Sequence, residues 1–308
     1  MFKARLRAPA VAIVAIVFAS VLTNPAHAAA SLKTVYPLTI SSGGFTTKIL
    51  KEPKRIISLS PSATEIFFSI GADKQILLVD SLSNYPKRAP ISDISAFEPN
   101  VEAIVGKKPD LVLLSVDSMK STEIRKALMK LKVPVLMEKA PTELADVYAE
   151  IKVLGKVTNK QAKARALTKK MAADIKSILA SAKKSPGVRI FHELDDTYYS
   201  VTSETFIGRV YKDFGVTNVA DAAAGADSYG YPQLSAEYLL KSDPQAIFLS
   251  DAQYGVTPES VAKRAGWSQI SAVKSNKVFA LAADIPSRWG PRLVDFYREI
   301  AKALATIS

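Results

Sequence analysis

Cysteine is absent from all 308 residues. That excludes disulfides, a thiolate metal site, a cysteine nucleophile and a lipid attached through cysteine after a leader. Histidine is nearly as scarce, because His27 falls in the leader described next and only His192 remains after it. No Gly-x-Ser-x-Gly elbow and no P-loop occurs. The nucleophile–base pairs on which most hydrolases depend are therefore missing. Beyond the first 30 residues no apolar run approaches the ~20 residues needed to span a bilayer.

What is present begins with that leader. Lys3, Arg5 and Arg7 precede an apolar run from Ala8 to Leu22, and Ala26-His27-Ala28 offers a small-x-small cleavage pattern. Residues 1–28 therefore read as a signal peptide, and export to the periplasm or outside the cell follows. The whole chain is 48% hydrophobic and 23% charged, ordinary for a globular protein large enough for two cores. The formal net charge is +12, of which Lys3, Arg5 and Arg7 supply three, leaving +9. The lysines are scattered over expected helix faces, which points to a solvated surface and away from nucleic acid.

From Arg55 onward the chain alternates strand and helix patterns with short connections. A leading hairpin turns at Gly43-Gly44; strands are expected at Ile56–Leu59, Ile76–Val79, Asp110–Ser115 and Val133–Met137, with helices between them. Residues 158–184 place Ala164, Leu167, Met171, Ile175, Ile178, Leu179 and Ala182 along one helical stripe. Thr158 with Gln161, and Ser62 with Glu65, have the spacing of capping boxes. After Pro186-Gly187 the alternation restarts, with strands at Val188–Leu194, Ala246–Ser250 and Val278–Ala282 and a closing helix from Leu293 to Ile307. The expected fold is α/β: an N-terminal lobe over 31–157, a connecting helix over 158–184 and a C-terminal lobe over 186–308, each lobe with a mostly parallel sheet.

A short unit recurs once per lobe. In Glu102–Ser115 and Glu237–Ser250 a Glu opens a short helix, Pro follows seven residues later, and a buried strand ends in Leu-Ser six residues after that. A Glu in a first turn complements the helix dipole by a few tenths to ~1 kcal/mol, which accounts for either Glu alone. A matched pair also offers two carboxylates to a two-fold partner, where Arg forks would pair with them in both position and orientation.

Four segments carry a resemblance: Arg55–Glu65 (RIISLSPSATE), Asn100–Val112 (NVEAIVGKKPDLV), Tyr231–Glu237 (YPQLSAE) and Gly290-Pro291-Arg292. In this order they resemble the iron-siderophore, haem and cobalamin substrate-binding proteins of ABC importers, and the cobalamin-binding branch above all. The resemblance implies two α/β lobes joined by one long helix, a chelate held between them, and membrane-subunit arginines that engage Glu102 and Glu237. Related haem binders carry a Tyr near the position of Phe97, where this chain has Ala96-Phe97.

Ligands of open parallel sheets sit beyond the carboxyl ends of strands. Loops expected there carry Tyr85 and Phe97 in the first lobe, and Asp195, Asp196, Tyr198, Tyr199, Tyr229, Tyr231, Arg288 and Trp289 in the second. Flat aromatics with few polar groups suit a large macrocycle, and Arg288 could pair with its carboxylates or amides. His192-Glu193 invites a metal reading, but neighbouring strand residues face opposite sides of a sheet and cannot easily share an ion. The expectation is a monomeric, non-catalytic carrier with no cofactor of its own, delivering a corrinoid to an ABC importer. Ferric siderophore or haem is the alternative cargo. An exported enzyme using Asp195 and Asp196 as acid and base is the competing class, and a surface adhesin with a self-filled cleft is a third.

Overall fold

The structure, a computed structural model, describes residues 33–182, 184–282 and 284–307. The signal peptide expected over residues 1–28 lies outside them. The hairpin β1 (Leu38–Ser42) and β2 (Phe45–Ile49) comes first, then β3 (Ile56–Leu59), α1 (Pro61–Ser69), β4 (Ile76–Val79), α2 (Val101–Gly106), β5 (Leu111–Ser115), α3 (Ser121–Lys130) and β6 (Val135–Glu138). Two consecutive helices follow, α4 (Leu144–Val157) and α5 (Gln161–Ser181). The pattern then resumes as β7 (Arg189–Glu193), α6 (Phe206–Asp213), β8 (Thr217–Asn218), α7 (Ala236–Ser242), β9 (Ala246–Leu249), α8 (Pro258–Ala262), α9 (Ser271–Lys274), β10 (Val278–Ala280) and α10 (Leu293–Leu304).

Strands β3 to β6 form one parallel sheet in the order β4-β3-β5-β6, and β7 to β10 form a second in the order β10-β9-β7-β8. Each sheet starts at an inner strand, adds its second strand on one side, and crosses back to add the third and fourth on the other. The order reverses between first and third strands, β3 and β5 in one sheet and β7 and β9 in the other. A crevice opens beyond the carboxyl ends at such a point.

Both faces of each sheet are covered, so the strands read as continuous apolar runs whose alternate residues feed different cores. Leu111 and Leu113 enter the largest core, while Val112 and Leu114 enter one shared with Ile104, Ile124 and Leu128. In the second sheet Ala246 and Phe248 join the same largest core, and Ile247 and Leu249 pack with Phe191 and Trp267. The largest core is thus common to both sheets, and α4, α5 and α10 lie in it. Ala164, Met171 and Ile175 of α5 are buried there, with Leu167, Ile178, Leu179 and Ala182 packed at its edge. With 21 residues, α5 spans about 32 Å at ~1.5 Å per residue.

The hairpin packs beside β6. Gly43 and Gly44 both have positive φ, 58° and 78°, as a two-residue hairpin loop whose twist matches its strands requires. A Cβ at position 43 would also sit 2.9 Å from that of Met137. The Thr47 hydroxyl donates to the Val135 carbonyl oxygen at 2.6 Å, so the hairpin shields an otherwise open sheet edge.

Two capping expectations need correction. Thr158 closes α4 instead of opening α5: its hydroxyl donates back to the Leu154 carbonyl oxygen at 2.7 Å, and Asn159 at φ 58° breaks the helix. Gln161 reaches to the Thr34 hydroxyl instead of a cap, at 2.9 Å. In α1 the cap is Ser60, which accepts from the Ala63 amide at 3.2 Å, because Pro61 takes the first helical position. Glu65 turns away from the cap to meet Arg292.

That meeting joins residues 227 positions apart. The Arg292 Nε lies 3.0 Å from both Glu65 oxygens, and its Nη2 lies 3.0 Å from Asp284 Oδ1. Glu65 is 2% exposed and Arg292 15%, so each charge depends on the other. Replacing Arg292 with Met strands a buried carboxylate and costs about 3–5 kcal/mol of stability, whereas the double change Glu65→Met with Arg292→Met recovers most of it. Urea denaturation of the three chains checks this, and a double variant no more stable than R292M would contradict it.

Candidate functional site

At the switch point of the first sheet lies a cleft of about 270 Å³. Its floor is built from residues that follow strands: Ser60, Pro61 and Ser62 after β3, Ser115, Asp117 and Ser118 at and after β5, and Glu138 at the end of β6. Leu82, Ala96 and Phe97 line it from the long loop between β4 and α2. Ser287, Arg288 and Trp289, just before α10, form the remaining wall. The wall is held by the Trp289 amide, which donates to the Ser62 hydroxyl at 3.1 Å, and by Asp284, which lies 3.3 Å from the Arg288 guanidinium. The Trp289 ring packs edge-on to Phe206 with centroids 6.3 Å apart.

Of the residues singled out in the sequence, Phe97, Arg288 and Trp289 come together here. Phe97 is 61% exposed, an apolar ring facing open space. Neither Tyr231 nor Tyr85 lines the cleft; Tyr231 is half exposed, and its hydroxyl pKa is raised first by burial and then by the charge of Asp117. Tyr85 lies beneath the Arg292 guanidinium, 4.4 Å from its ring centroid. The others lie apart from the cleft lining. Tyr198 stacks on Trp267 at 5.6 Å within the second sheet's core, Tyr199 pairs with Gln233 through an isolated bridge, and Tyr229 is 89% exposed on a left-handed turn. Asp195 spends its carboxylate on a turn, accepting from the Thr197 amide at 2.9 Å and hydroxyl at 2.6 Å, beside exposed Asp196.

His192 is fully buried, with Nδ1 2.8 Å from the Tyr211 hydroxyl and Nε2 2.7 Å from that of Ser250. Burial pushes its pKa down to about 3, so it stays neutral and both ring nitrogens are occupied. Glu193 pairs bidentately with Arg264, both contacts 2.6 Å. Among the described residues no group of three or more metal-ligating side chains occurs.

Asp117, Glu138 and the serines of the floor escaped sequence reasoning. Their signal was positional: each lies at or within a few residues of the carboxyl end of a buried strand. Glu138 is 7% exposed, and burial raises its pKa, helped by the charges of Asp117 and Asp80 and opposed by a hydrogen bond from Ser60. Behind it a second hollow is lined by Glu138, Glu150 and Trp289. Burial, then the Glu138 charge, raises the pKa of Glu150.

Glu102 and Glu237 occupy equivalent places. Asn100 accepts from the Ala103 amide at 3.0 Å and Ser235 from the Tyr238 amide at 3.1 Å, so each Glu is the second residue of its helix, α2 or α7. Both are exposed and neither is ion-paired among the described residues.

Residues 56–285 match the family model described as periplasmic binding protein. The chain belongs to that family. Within it, the chain is 33% identical over 278 residues to an uncharacterized ABC transporter substrate-binding lipoprotein, YvrC, of Bacillus subtilis, covering 88% of this chain and 86% of the relative. It is 26% identical over 261 residues to the vitamin B12-binding protein of Vibrio vulnificus, covering 82% and 91%. The crystal structure of the periplasmic vitamin B12 binding protein BtuF of Vibrio cholerae superposes with a TM-score of 0.68 at 26% identity, over 82% of this chain and 97% of that one. The binding-protein fold thus accounts for both sheets and the long helix between them.

The raised carboxyl groups set a pH dependence. Glu138 and Glu150 hold protons in the folded chain that the unfolded chain releases near the ordinary value of 4.5. Their contribution is fully present below that value and is lost as pH rises toward and past neutrality. Glu138→Gln therefore melts a few degrees above the wild type at pH 8 and no higher at pH 4, at roughly 2–4 °C per kcal/mol. Melting curves at the two pH values check the sign.

Proposed function

We propose that this protein captures a corrinoid of the cobalamin type in the cleft and delivers it to an ABC importer. The observation carrying this reading is the composition of the cleft: Phe97 and Trp289 present aromatic surface at the switch point of a parallel sheet, the surface a flat macrocycle covers without many directed bonds. The names of the vitamin B12-binding relatives support the same cargo. Haem is the weaker reading, since it needs an axial ligand: His192 is enclosed and the loop carries Phe97 where a Tyr would serve. Asp195 and Asp196 as a catalytic pair find no support in a carboxylate already occupied by its own turn, and the family is one of carriers.

Delivery would use the matched glutamates. Two exposed carboxylates at equivalent helix starts suit a pair of Arg forks on the membrane subunits of the importer.

Calorimetric titration of the mature protein with cyanocobalamin, haemin and a ferric hydroxamate tests the cargo. The expected result is sub-micromolar binding of cyanocobalamin alone, weakened at least tenfold by Phe97→Ala, since truncating a core aromatic contact costs ≳ 2 kcal/mol. Silence with cyanocobalamin and binding of either iron chelate would overturn it. Reversing both charges, Glu102→Arg with Glu237→Arg, should leave that affinity unchanged and abolish stimulation of the importer's ATPase. Unimpaired stimulation would remove the docking role.

A further inference from the structure

The cleft holds about 270 Å³, below the ~300–1,000 Å³ usual for small-molecule sites. A macrocycle of corrinoid size overfills it, so part of the ligand must lie on the rim. Two of the large apolar side chains that stand open to water line this cleft: Leu82, 60% exposed, and Phe97, 61% exposed. An exposed leucine on its own needs no explanation; Leu50 and Leu131 are similarly open, at 70% and 55%, and lie outside the cleft lining. What sets Leu82 apart is its support.

Leu82 and Phe97 stand near the two ends of the loop between β4 and α2, and both ends are pinned. Asp80, fully buried, accepts from the Leu82 amide at 2.8 Å and from the Ser83 hydroxyl. The Ser83 oxygen lies 3.0 Å from that of buried Thr64. At the far end the Ser95 hydroxyl accepts from the Phe97 amide at 3.1 Å, and the Ala96 carbonyl oxygen accepts from the Ser118 hydroxyl at 2.6 Å. The Phe97 carbonyl oxygen accepts from the Met119 amide at 2.8 Å. A loose loop could turn its apolar side chains inward. A pinned one keeps them in water until an apolar partner covers them, and loses little conformational freedom when that happens.

We propose that Leu82 is a further contact residue of the cargo site: with Phe97 it forms an apolar rim that takes an alkyl-bearing edge of the macrocycle, and the turn from Asp80 to Ser83 positions it. The proposal rests on the corrinoid reading, since a corrin carries methyl groups around its ring.

Calorimetric titration with cyanocobalamin tests it. Leu82→Ala should weaken binding about 5–10-fold, from apolar surface no longer withdrawn from water, and should melt with the wild type because the side chain is already exposed. Leu50→Ala, equally open but outside the cleft, should change neither quantity. Ser83→Ala unties the turn without touching the rim. It should weaken the wild type about threefold and Leu82→Ala no further, because the turn acts through the side chain it holds. Wild-type affinity in Leu82→Ala would overturn the contact and leave the corrinoid reading standing. Equal losses from Ser83→Ala in both backgrounds, or none in either, would remove the positioning role. A wild-type chain that binds no cyanocobalamin would overturn the corrinoid reading and this proposal with it.

Discussion

The fork of Arg292 onto Glu65 holds this molecule in its shape. It ties the start of the last helix to the first helix after β3, across 227 positions of sequence. Around it the contacts close ranks: Trp289 donates to Ser62, and Gly290 runs so near that a Cβ there would stand 3.3 Å from the Ser62 carbonyl oxygen. The consequence is a composite cleft. Its floor follows the strands of the first sheet, and its wall is the turn that precedes α10. Without the ion pair the desolvated Glu65 would have no counter-charge, and the wall no fixed address.

Four desolvated glutamates divide into two pairs. Glu65 and Glu193 each have an arginine in bidentate contact, as stability demands. Glu138 and Glu150 have none; burial raises the pKa of both, and the charge of Glu138 raises Glu150 further. Uncompensated acids at the edge of a cleft are expensive for folding, and perturbed groups of this kind concentrate where ligands bind. The two pairs thus differ in what stands opposite each carboxyl: an arginine in one, no cation in the other.

Much of the fold was legible because each strand is a short apolar run between turn signals. Observed β3, β4, β5, β7 and β9 lie within a residue or so of the runs from which they were expected. The capping boxes failed where two residues could serve one end. Ser60 displaced Ser62 because Pro61 is pre-set for a helix's first turn, and Thr158 joined the helix before it because its hydroxyl finds Leu154 nearer than any amide ahead. The cleft was half legible. Aromatics in loops announce themselves, but nothing local distinguishes Trp289, which lines the cleft, from Tyr198, which stacks on Trp267. Asp117 and Glu138 needed the strand order, since β5 and β6 pair side by side and bring the residues at their carboxyl ends together.

The position of Ser287–Trp289 so late in the chain has a consequence for biogenesis. The first sheet and its floor are complete by residue 138, yet the cleft lacks a wall until the segment before α10 arrives and Arg292 finds Glu65. Contacts of such long range are closed late in folding. A chain still being synthesised therefore exposes an open sheet end, and the cleft is enclosed only as its last helix docks.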